Sequence, residues 1–268
     1  MQKKSPHTYR SFWVEHTLNP KTIAKSFSSA ACTYDKWARP HSHIAQKLLS
    51  ILPESANTIL ELGCGTGILT ELLCTKYPAA HITAIDIAPK MIEQCKKRCQ
   101  HKNLSVEVAS AEEFLLDQAN LIVSSSSFHW FYDKQAVARN IRRSLAPKGQ
   151  FALAMSVKGF LQELHTIYES ITGEPLLHLW DELECEAIFS ALDLPMKKTI
   201  FESFQMEEID PWNVLRSIKS TGTAPKGLSR SLSPREIKEL VRTYSCRYKN
   251  KNGVAVTYNT FYGITEEL

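Results

Sequence analysis

The chain has 268 residues, of which 43% are hydrophobic and 22% are charged, and its formal net charge is +4. This composition excludes a globally disordered chain, and no stretch approaches the roughly 18 consecutive apolar residues of a membrane-spanning helix. The N-terminus lacks the apolar centre of a signal peptide, so we expect a cytoplasmic protein with one main core. The seven cysteines show no paired spacing typical of zinc, and no metal is expected.

The start of the chain is polar and irregular, so residues 1–25 are predicted to be flexible. Residues 26–56 predict two short helices that separate near Pro40, because proline disfavours the helical state of the preceding residue. The first helix carries a dense group of side chains able to act in a site: Tyr34, Asp35, Trp37 and Arg39. The alternative is that its aromatic rings only pack the helix onto the core.

Residues 57–158 are built around the stretch from Thr58 to Thr70. An apolar strand breaks there into the turn Gly63-Cys-Gly-Thr-Gly67, which opens a helix. Glycines let a ligand approach the backbone, and the helix N-terminus offers unpaired N–H groups. Asp86 ends the next strand, where a carboxylate can accept hydrogen bonds from ribose hydroxyls; the alternative is a surface carboxylate. The stretch therefore predicts a nucleotide-like cofactor.

Strands and helices continue to alternate as far as residue 158, which predicts an α/β fold with a parallel sheet covered on both faces. The rhythm then changes. Residues 159–263 predict two further strands that enclose a helical, basic insertion, which we interpret as a lid over the carboxyl edge of the sheet, and residues 264–268 are predicted to form a tail.

The basic residues concentrate between Trp212 and Gly253. They are Arg216, Lys219, Lys226, Arg230, Arg235, Lys238, Arg242, Arg247, Lys249 and Lys251. A surface of this kind attracts an acidic protein, a nucleic acid or a membrane, and a solvated helix face is the alternative. The stretch contains no known nucleic-acid motif and few aromatic residues, so we expect neither nucleic acid nor a membrane as partner.

Three motifs resemble those of the class I S-adenosylmethionine-dependent methyltransferases: the segment Glu61 to Gly67, Asp86, and Ala109-Ser-Ala-Glu-Glu-Phe114. The resemblance implies a doubly wound, mostly parallel sheet of seven strands with an antiparallel last strand, and S-adenosylmethionine as cofactor. The cofactor-binding residues that it implies are Glu61, Gly63, Gly65, Gly67, Asp86, Ile87, Ala111, Glu112 and Ser124. Because Ser110 stands where many members carry Asp, the backbone of Ala111 and Glu112 is expected to serve the adenine.

Further segments resemble one subfamily, the malonyl-acyl-carrier-protein O-methyltransferases of biotin synthesis. They are Phe27 to Arg39, Ser126 to Trp130, Lys158 to His165, Leu215 to Gly222 and Val256 to Gly263. The resemblance implies transfer of a methyl group to the free carboxylate of a malonyl thioester. It also implies an acidic acyl carrier protein bearing the malonyl group as partner, or malonyl-CoA, and we expect the enzyme to be a monomer.

A malonyl carboxylate is ionised at neutral pH and needs no general base, so the site has to orient an anion. We expect a guanidinium to do this, since its planar fork matches a carboxylate, and Arg216 is the candidate. Tyr34 is the expected hydroxyl donor, and His129 and Trp130 follow strand four, where such sheets bind ligands. As alternatives, Arg216 is a surface arginine and His129 a packed or exposed residue.

Other functions remain open from the sequence. A methyltransferase for another small carboxylic acid or a quinone precursor would share the cofactor motifs, as would a non-catalytic cofactor-binding regulator. An NAD-dependent oxidoreductase is disfavoured, because the glycine spacing differs from GxGxxG.

Overall fold

The computed structural model describes residues 19–222 and 231–267. Its helices are α1 (Pro20–Trp37), α2 (Arg39–Ile51), α3 (Ile68–Lys76), α4 (Pro89–Arg98), α5 (Lys134–Ser144), α6 (Gln162–Thr172), α7 (Glu182–Ala191), α8 (Pro211–Thr221) and α9 (Pro234–Tyr248). Its strands are β1 (Thr58–Leu62), β2 (His81–Asp86), β3 (Leu104–Val108), β4 (Ala119–Ser125), β5 (Leu145–Ser156), β6 (Met196–Glu208), β7 (Lys249–Asn250) and β8 (Gly253–Thr265). A single turn of 3-10 helix, Phe128–Trp130, follows β4.

The strands form one twisted sheet in the order β3-β2-β1-β4-β5-β8-β6. Neighbouring strands from β3 to β5 are parallel, whereas β8 runs antiparallel between β5 and β6. This confirms the predicted mostly parallel sheet with an antiparallel last strand. The short β7, which the sequence pattern does not predict, only extends the hairpin at the start of β8.

Helices cover both faces of the sheet, as the alternation of strands and helices predicts. Along β4, Leu121 and Val123 face the layer formed by α2 and α3, while Ile122 faces the layer formed by α5 and α7. Successive side chains of a strand point to opposite faces, so a strand buried on both sides reads as a continuous apolar run. Both layers are buried, and the central strands position the chemistry at their carboxyl ends.

The described parts of the helical insertion between β6 and β8, residues 209–222 and 231–252, lie at the carboxyl edge of the sheet. Its helices α8 and α9 pack with α6 through the buried side chains of Leu164, Val214 and Tyr244. Tyr244 donates a hydrogen bond of 2.8 Å to the carbonyl of Ala255 in β8. The insertion is thus fixed to the sheet by its own small core.

Buried Glu163 ties α6 to β8. Its carboxylate accepts hydrogen bonds from the amide of Thr257 at 2.8 Å and from the hydroxyl of Thr257 at 2.5 Å. A buried carboxylate is tolerated where several donors satisfy it. This contact fixes the helix that leaves β5 beside the helical insertion.

The predicted ends of two segments need correction, and the predicted break near Pro40 can be placed at one residue. Residues 20–25 are helical, because the side chain of Asn19 accepts hydrogen bonds from the first turn and Pro20 occupies the first helical position. The two N-terminal helices part at Ala38, and Pro40 lies in the first turn of α2. At the other end β8 continues to Thr265, so the tail is shorter than predicted. The remainder of the predicted flexible segment, residues 1–18, lies outside the described residues, as does residue 268.

Within the described ranges, no helix is both long enough and apolar enough to cross a membrane.

Candidate active site

The glycine turn connects β1 to α3 at the carboxyl edge of the sheet. The amides of Gly63 and Cys64 both donate to the carbonyl of Ile85, at 2.8 and 2.9 Å, so the turn is fastened to β2. Gly65 has φ +53, and a Cβ added there would meet no atom within 4 Å. The backbone at this position therefore borders open space, as a close approach to a ligand requires.

Asp86 lies opposite the turn, at the end of β2. One carboxylate oxygen accepts from the amide of Gly65 at 2.9 Å and the other from the amide of Ala88 at 2.8 Å. Each ionised carboxylate oxygen has room for another donor, so both can still accept from a ligand hydroxyl. Burial raises the pKa of Asp86 to about 6.

Glu61 is buried beneath the turn. Its carboxylate accepts a hydrogen bond of 2.6 Å from the hydroxyl of Thr70 in α3. Burial raises the pKa of Glu61 to about 8, because the ionised form loses its hydration there. The side chain reaches the floor of the cavity described next.

A cavity opens above the glycine turn. It encloses about 960 Å³ of empty space, counting the open solvent at its mouth. Of the predicted cofactor residues, the following line it: Glu61, Gly63, Gly65, Asp86, Ile87, Ala111 and Glu112. We call it the cofactor cavity.

Two predicted cofactor residues do not line this cavity. Gly67 faces α4 instead, where a Cβ would stand 2.9 Å from the sulfurs of Cys95 and Cys99. Ser124 is fully buried within the sheet, and Ser125, Ser126 and Ser127 after it line the cavity. The sequence pattern placed a serine of β4 near the cofactor but did not predict which serines reach the cavity, because that depends on where β4 ends.

The segment expected at the adenine is held from two sides. The amide of Glu112 donates to the hydroxyl of Ser110 at 3.3 Å, and the Glu112 carboxylate accepts from the amide of Tyr132 at 2.9 Å. Asn140 donates to the carbonyls of Ala111 and Glu112, at 3.2 and 2.7 Å. Ser110 thus shapes the local turn, and both carbonyls already have a donor.

Helix α1 forms one wall of the cofactor cavity through Ile23, Phe27 and Tyr34. Asp35 fastens it there, because its carboxylate accepts from the hydroxyl of Thr66 in the glycine turn at 2.6 Å and from Arg98 in α4 at 2.5 Å. The sequence singled out Asp35, and the structure gives it the role of a clamp.

A second cavity adjoins the first. It is lined by Phe27, Tyr34, His41, Ser126, His129, Trp130, Ser156, Phe160, Leu177, His178 and Leu179. Five of these also line the cofactor cavity, and we call them the junction: Phe27, Tyr34, His41, Ser126 and Trp130. The predicted acceptor residues Tyr34, His129 and Trp130 are thus brought together, although they lie far apart in the sequence.

Two residues of the junction, His41 and Ser126, were not predicted from the sequence to bind the acceptor. The Nδ1 atom of His41 and the hydroxyl of Ser126 are buried and have no hydrogen-bond partner among the described residues. A short polar residue after β4 was a possible signal for Ser126. Nothing local marks His41, because its position depends on how α2 packs.

Arg216 is not brought to either cavity. It lies on the exposed side of α8, where its guanidinium donates to the side chain of Asn213 at 3.0 Å. Arg235, Lys238 and Arg242 form an exposed basic row along α9, while Lys226 and Arg230 lie outside the described residues.

A third cavity lies beside the second and shares His129, Leu177, His178 and Leu179 with it. Lys158 lines it together with the acidic residues Glu169, Asp181 and Glu184. Lys134 also lines it, but its ammonium donates to the carbonyl of Phe131 at 2.8 Å. The three cavities follow one another along the carboxyl edge of the sheet.

A family model described as a methyltransferase domain matches residues 59–149. A malonyl-[acyl-carrier protein] O-methyltransferase from Paenibacillus sp. (strain JDR-2) is 32% identical over 271 residues, which cover 90% of this chain and 96% of that protein. The protein of the same name from Bacillus cereus is 30% identical over 270 residues, which cover 93% of this chain and 98% of that protein. The chain belongs to the malonyl-[acyl-carrier protein] O-methyltransferase family.

A solved structure supports the fold independently. The geranyl diphosphate C-methyltransferase of Streptomyces coelicolor A3(2), solved with S-adenosyl-L-homocysteine, superposes with a TM-score of 0.52 at 12% identity and covers 85% of this chain and 79% of that chain. The family and the fold together identify an S-adenosylmethionine-dependent methyltransferase. The free space at Gly65 and the acceptor oxygens of Asp86 fit such a cofactor.

Proposed function

We propose that the protein transfers a methyl group from S-adenosylmethionine to the free carboxylate of a malonyl thioester carried by an acyl carrier protein or coenzyme A. The product, a malonyl methyl ester, would start pimeloyl synthesis for biotin. The observation that carries the proposal is the junction, the five residues that line both the cofactor cavity and the second cavity. Family membership supplies the identity of the acceptor.

In this proposal the glycine turn and Asp86 hold the cofactor. The Asp86 carboxylate accepts from the two ribose hydroxyls while it keeps its bonds to Gly65 and Ala88. S-adenosylmethionine supplies an electrophilic methyl group on a positively charged sulfur. Direct attack on this group requires nucleophile, carbon and sulfur to be nearly collinear, so the enzyme acts mainly by positioning both substrates.

The junction is where the methyl group would be transferred. Phe27 and Trp130 meet edge to face there, with ring centroids 5.6 Å apart, and form an apolar wall. Burial and the neighbouring carboxylates raise the pKa of Tyr34, so its hydroxyl stays protonated and can donate to the acceptor. His129 lines the second cavity at the side away from the cofactor, where it would contact the acyl chain.

The third cavity supplies a route for the thioester arm. It continues from the second cavity past Leu177 and Leu179, and Lys158 stands on its wall. A long, mostly uncharged arm with a polar end fits a passage of this kind. The carboxylate would then reach the junction first and the thioester would follow.

The exposed basic row on α9, with Arg216 on α8, suits an acidic carrier protein. Complementary surface charge mainly raises the rate of association and weakens with salt. We therefore assign Arg216 to carrier docking instead of carboxylate binding.

The decisive experiment incubates the pure protein with S-adenosylmethionine and either malonyl carrier protein or malonyl-CoA, and follows the methyl ester by mass spectrometry. We expect a mass increase of one methylene group on the malonyl group, with the carrier protein preferred at low salt. If another small carboxylic acid or a quinone precursor is methylated faster, that compound is the acceptor and the malonyl thioester is not. Binding of the cofactor without any methyl transfer would favour a regulator.

A further inference from the structure

The second cavity has to receive an anion if the proposed function holds, yet neither lysine nor arginine lines it within the described residues. Its polar lining consists of tyrosine, serine and histidine side chains. Two lysines, Lys134 and Lys158, line the adjoining third cavity instead. Within the described residues, the donors available to the carboxylate are therefore the hydroxyl, imidazole and indole groups of this lining.

Ser126 has a backbone conformation that marks it as unusual. Its φ is +55, a left-handed value that is uncommon for residues other than glycine. Its amide donates to the carbonyl of Ala154 in β5 at 2.8 Å, so the strained conformation is fixed by the sheet. The result is a buried hydroxyl at the junction that has no hydrogen-bond partner among the described residues.

His41 is the second unusual residue. Burial lowers its pKa to about 4, so the ring is neutral at physiological pH and offers one N–H donor. Its ring lies against that of Tyr34, with centroids 5.4 Å apart. Buried polar atoms without a partner are rare in folded proteins and need a reason. Two of them at one junction between two cavities point to a ligand.

We propose that His41 and Ser126 orient the acceptor carboxylate through hydrogen bonds from neutral donors, an inference that rests on the proposed function. One carboxylate oxygen accepts from these groups and the other points at the methyl carbon. The attacking oxygen forms its bond to that carbon while the carbon–sulfur bond breaks and its electron pair stays on sulfur. No proton moves, and the products are the methyl ester and S-adenosylhomocysteine.

Neutral donors serve this reaction better than a guanidinium would. A bidentate cation engages both carboxylate oxygens and lowers the nucleophilicity of the one that attacks. Hydrogen bonds to a charged group still strengthen binding by about tenfold or more, which is enough to place the acceptor. The arrangement combines orientation with a reactive second oxygen.

The test uses the full-length enzyme and steady-state kinetics with malonyl carrier protein. Ser126→Ala and His41→Ala should each raise the acceptor KM, or lower kcat/KM, by about tenfold or more, as loss of a hydrogen bond to a charged group predicts. The Kd of S-adenosylhomocysteine and the melting temperature should stay near the wild-type values. His41→Gln, which keeps an N–H donor, should recover part of the loss.

Two control variants match these substitutions. His43→Ala removes a histidine from the same helix whose ring contacts Glu202 and lines neither cavity. Thr260→Val removes another buried hydroxyl, in β8, which lines none of the three cavities. Both variants should keep the acceptor KM and kcat within about twofold of wild type, because neither side chain lines a cavity. Any effect should be on stability. Ser126→Gly relieves the backbone strain, so its effect should equal that of Ser126→Ala if the hydroxyl matters.

The outcomes separate the two levels of the proposal. If the wild type methylates malonyl carrier protein and all four junction variants keep the wild-type kcat/KM, the assignment of His41 and Ser126 is overturned while the proposed function stands. If the variants lose cofactor binding and acceptor binding equally, the assignment also fails. If the wild type forms no methyl ester, the proposed function itself is wrong, and the inference falls with it.

Discussion

The three glycines of the turn are equivalent in the motif but not in their surroundings, which predicts different effects of the same substitution. Gly65→Ala places a methyl group where nothing lies within 4 Å, at φ +53. The cost in the free energy of unfolding is then only that of the left-handed backbone, about 1–2 kcal/mol. The same methyl group enters the cofactor cavity, so the Kd of S-adenosylhomocysteine should rise at least about tenfold, or about 1.4 kcal/mol.

Gly67→Ala should do the opposite. It also requires a left-handed backbone, at φ +87, and its Cβ would lie 2.9 Å from the sulfurs of Cys95 in α4 and of Cys99 just after it. Overpacking of this kind adds about 1–3 kcal/mol, so the total loss of unfolding free energy should be about 2–5 kcal/mol. In a background with Cys95→Ala and Cys99→Ala, the additional loss should shrink, because the two sulfurs are absent.

Urea denaturation without cofactor gives the free energies of unfolding, and isothermal titration with S-adenosylhomocysteine gives the Kd values. The reasoning is refuted if Gly65→Ala destabilises the protein as much as Gly67→Ala does. It is equally refuted if Gly67→Ala, at a temperature where it remains folded, weakens cofactor binding as strongly as Gly65→Ala.

Four further predictions concern charged residues. Burial raises the pKa of Asp86 to about 6, so the carboxylate that accepts the ribose hydroxyls becomes protonated as the pH drops through about 6. Cofactor affinity should fall over this range. Calorimetry should show the pH dependence in wild type but not in Asp86→Asn. Asp35→Ala should release α1 from Thr66, seen as faster cleavage of α1 in limited proteolysis and a weaker cofactor Kd. Glu163→Ala should lower the free energy of unfolding by about 1.5–3 kcal/mol in urea denaturation, since buried donors lose a charged acceptor, with Glu163→Gln intermediate. Arg216→Ala should raise the KM for malonyl carrier protein at low salt and leave the KM for malonyl-CoA unchanged. Equal increases in both KM values would indicate that Arg216 binds the acceptor carboxylate.

Local patterns predicted most of the fold. The range of α9 follows from Pro234 at its first turn, and the strands around the glycine turn follow from their apolar runs. The errors lie where a local signal has two meanings. The N-terminal helices separate near Pro40 as expected, but the reason differs, because Pro40 lies in the first turn of α2, a position that suits proline.

The cofactor half of the site was accessible from sequence because its determinants are consecutive. A strand, a tight turn and a helix place Gly63 and Gly65 beside Asp86 whatever the rest of the chain does. The acceptor half has no such motif. Tyr34 and Ser126 meet only when α1 packs against α4 and α8, and the exposure of Arg216 depends on which side of α8 packs inward.

The sequence by itself thus determined the fold class, the cofactor and the family. Tertiary packing alone decided that Gly67 fills space against α4, that Arg216 faces solvent, and that His41 stands at the junction with Ser126. The physical reason is that hydrogen bonds of the backbone and the periodicity of apolar residues are local, whereas a cavity is the space left between elements distant in the chain. Its lining is a property of how those elements pack.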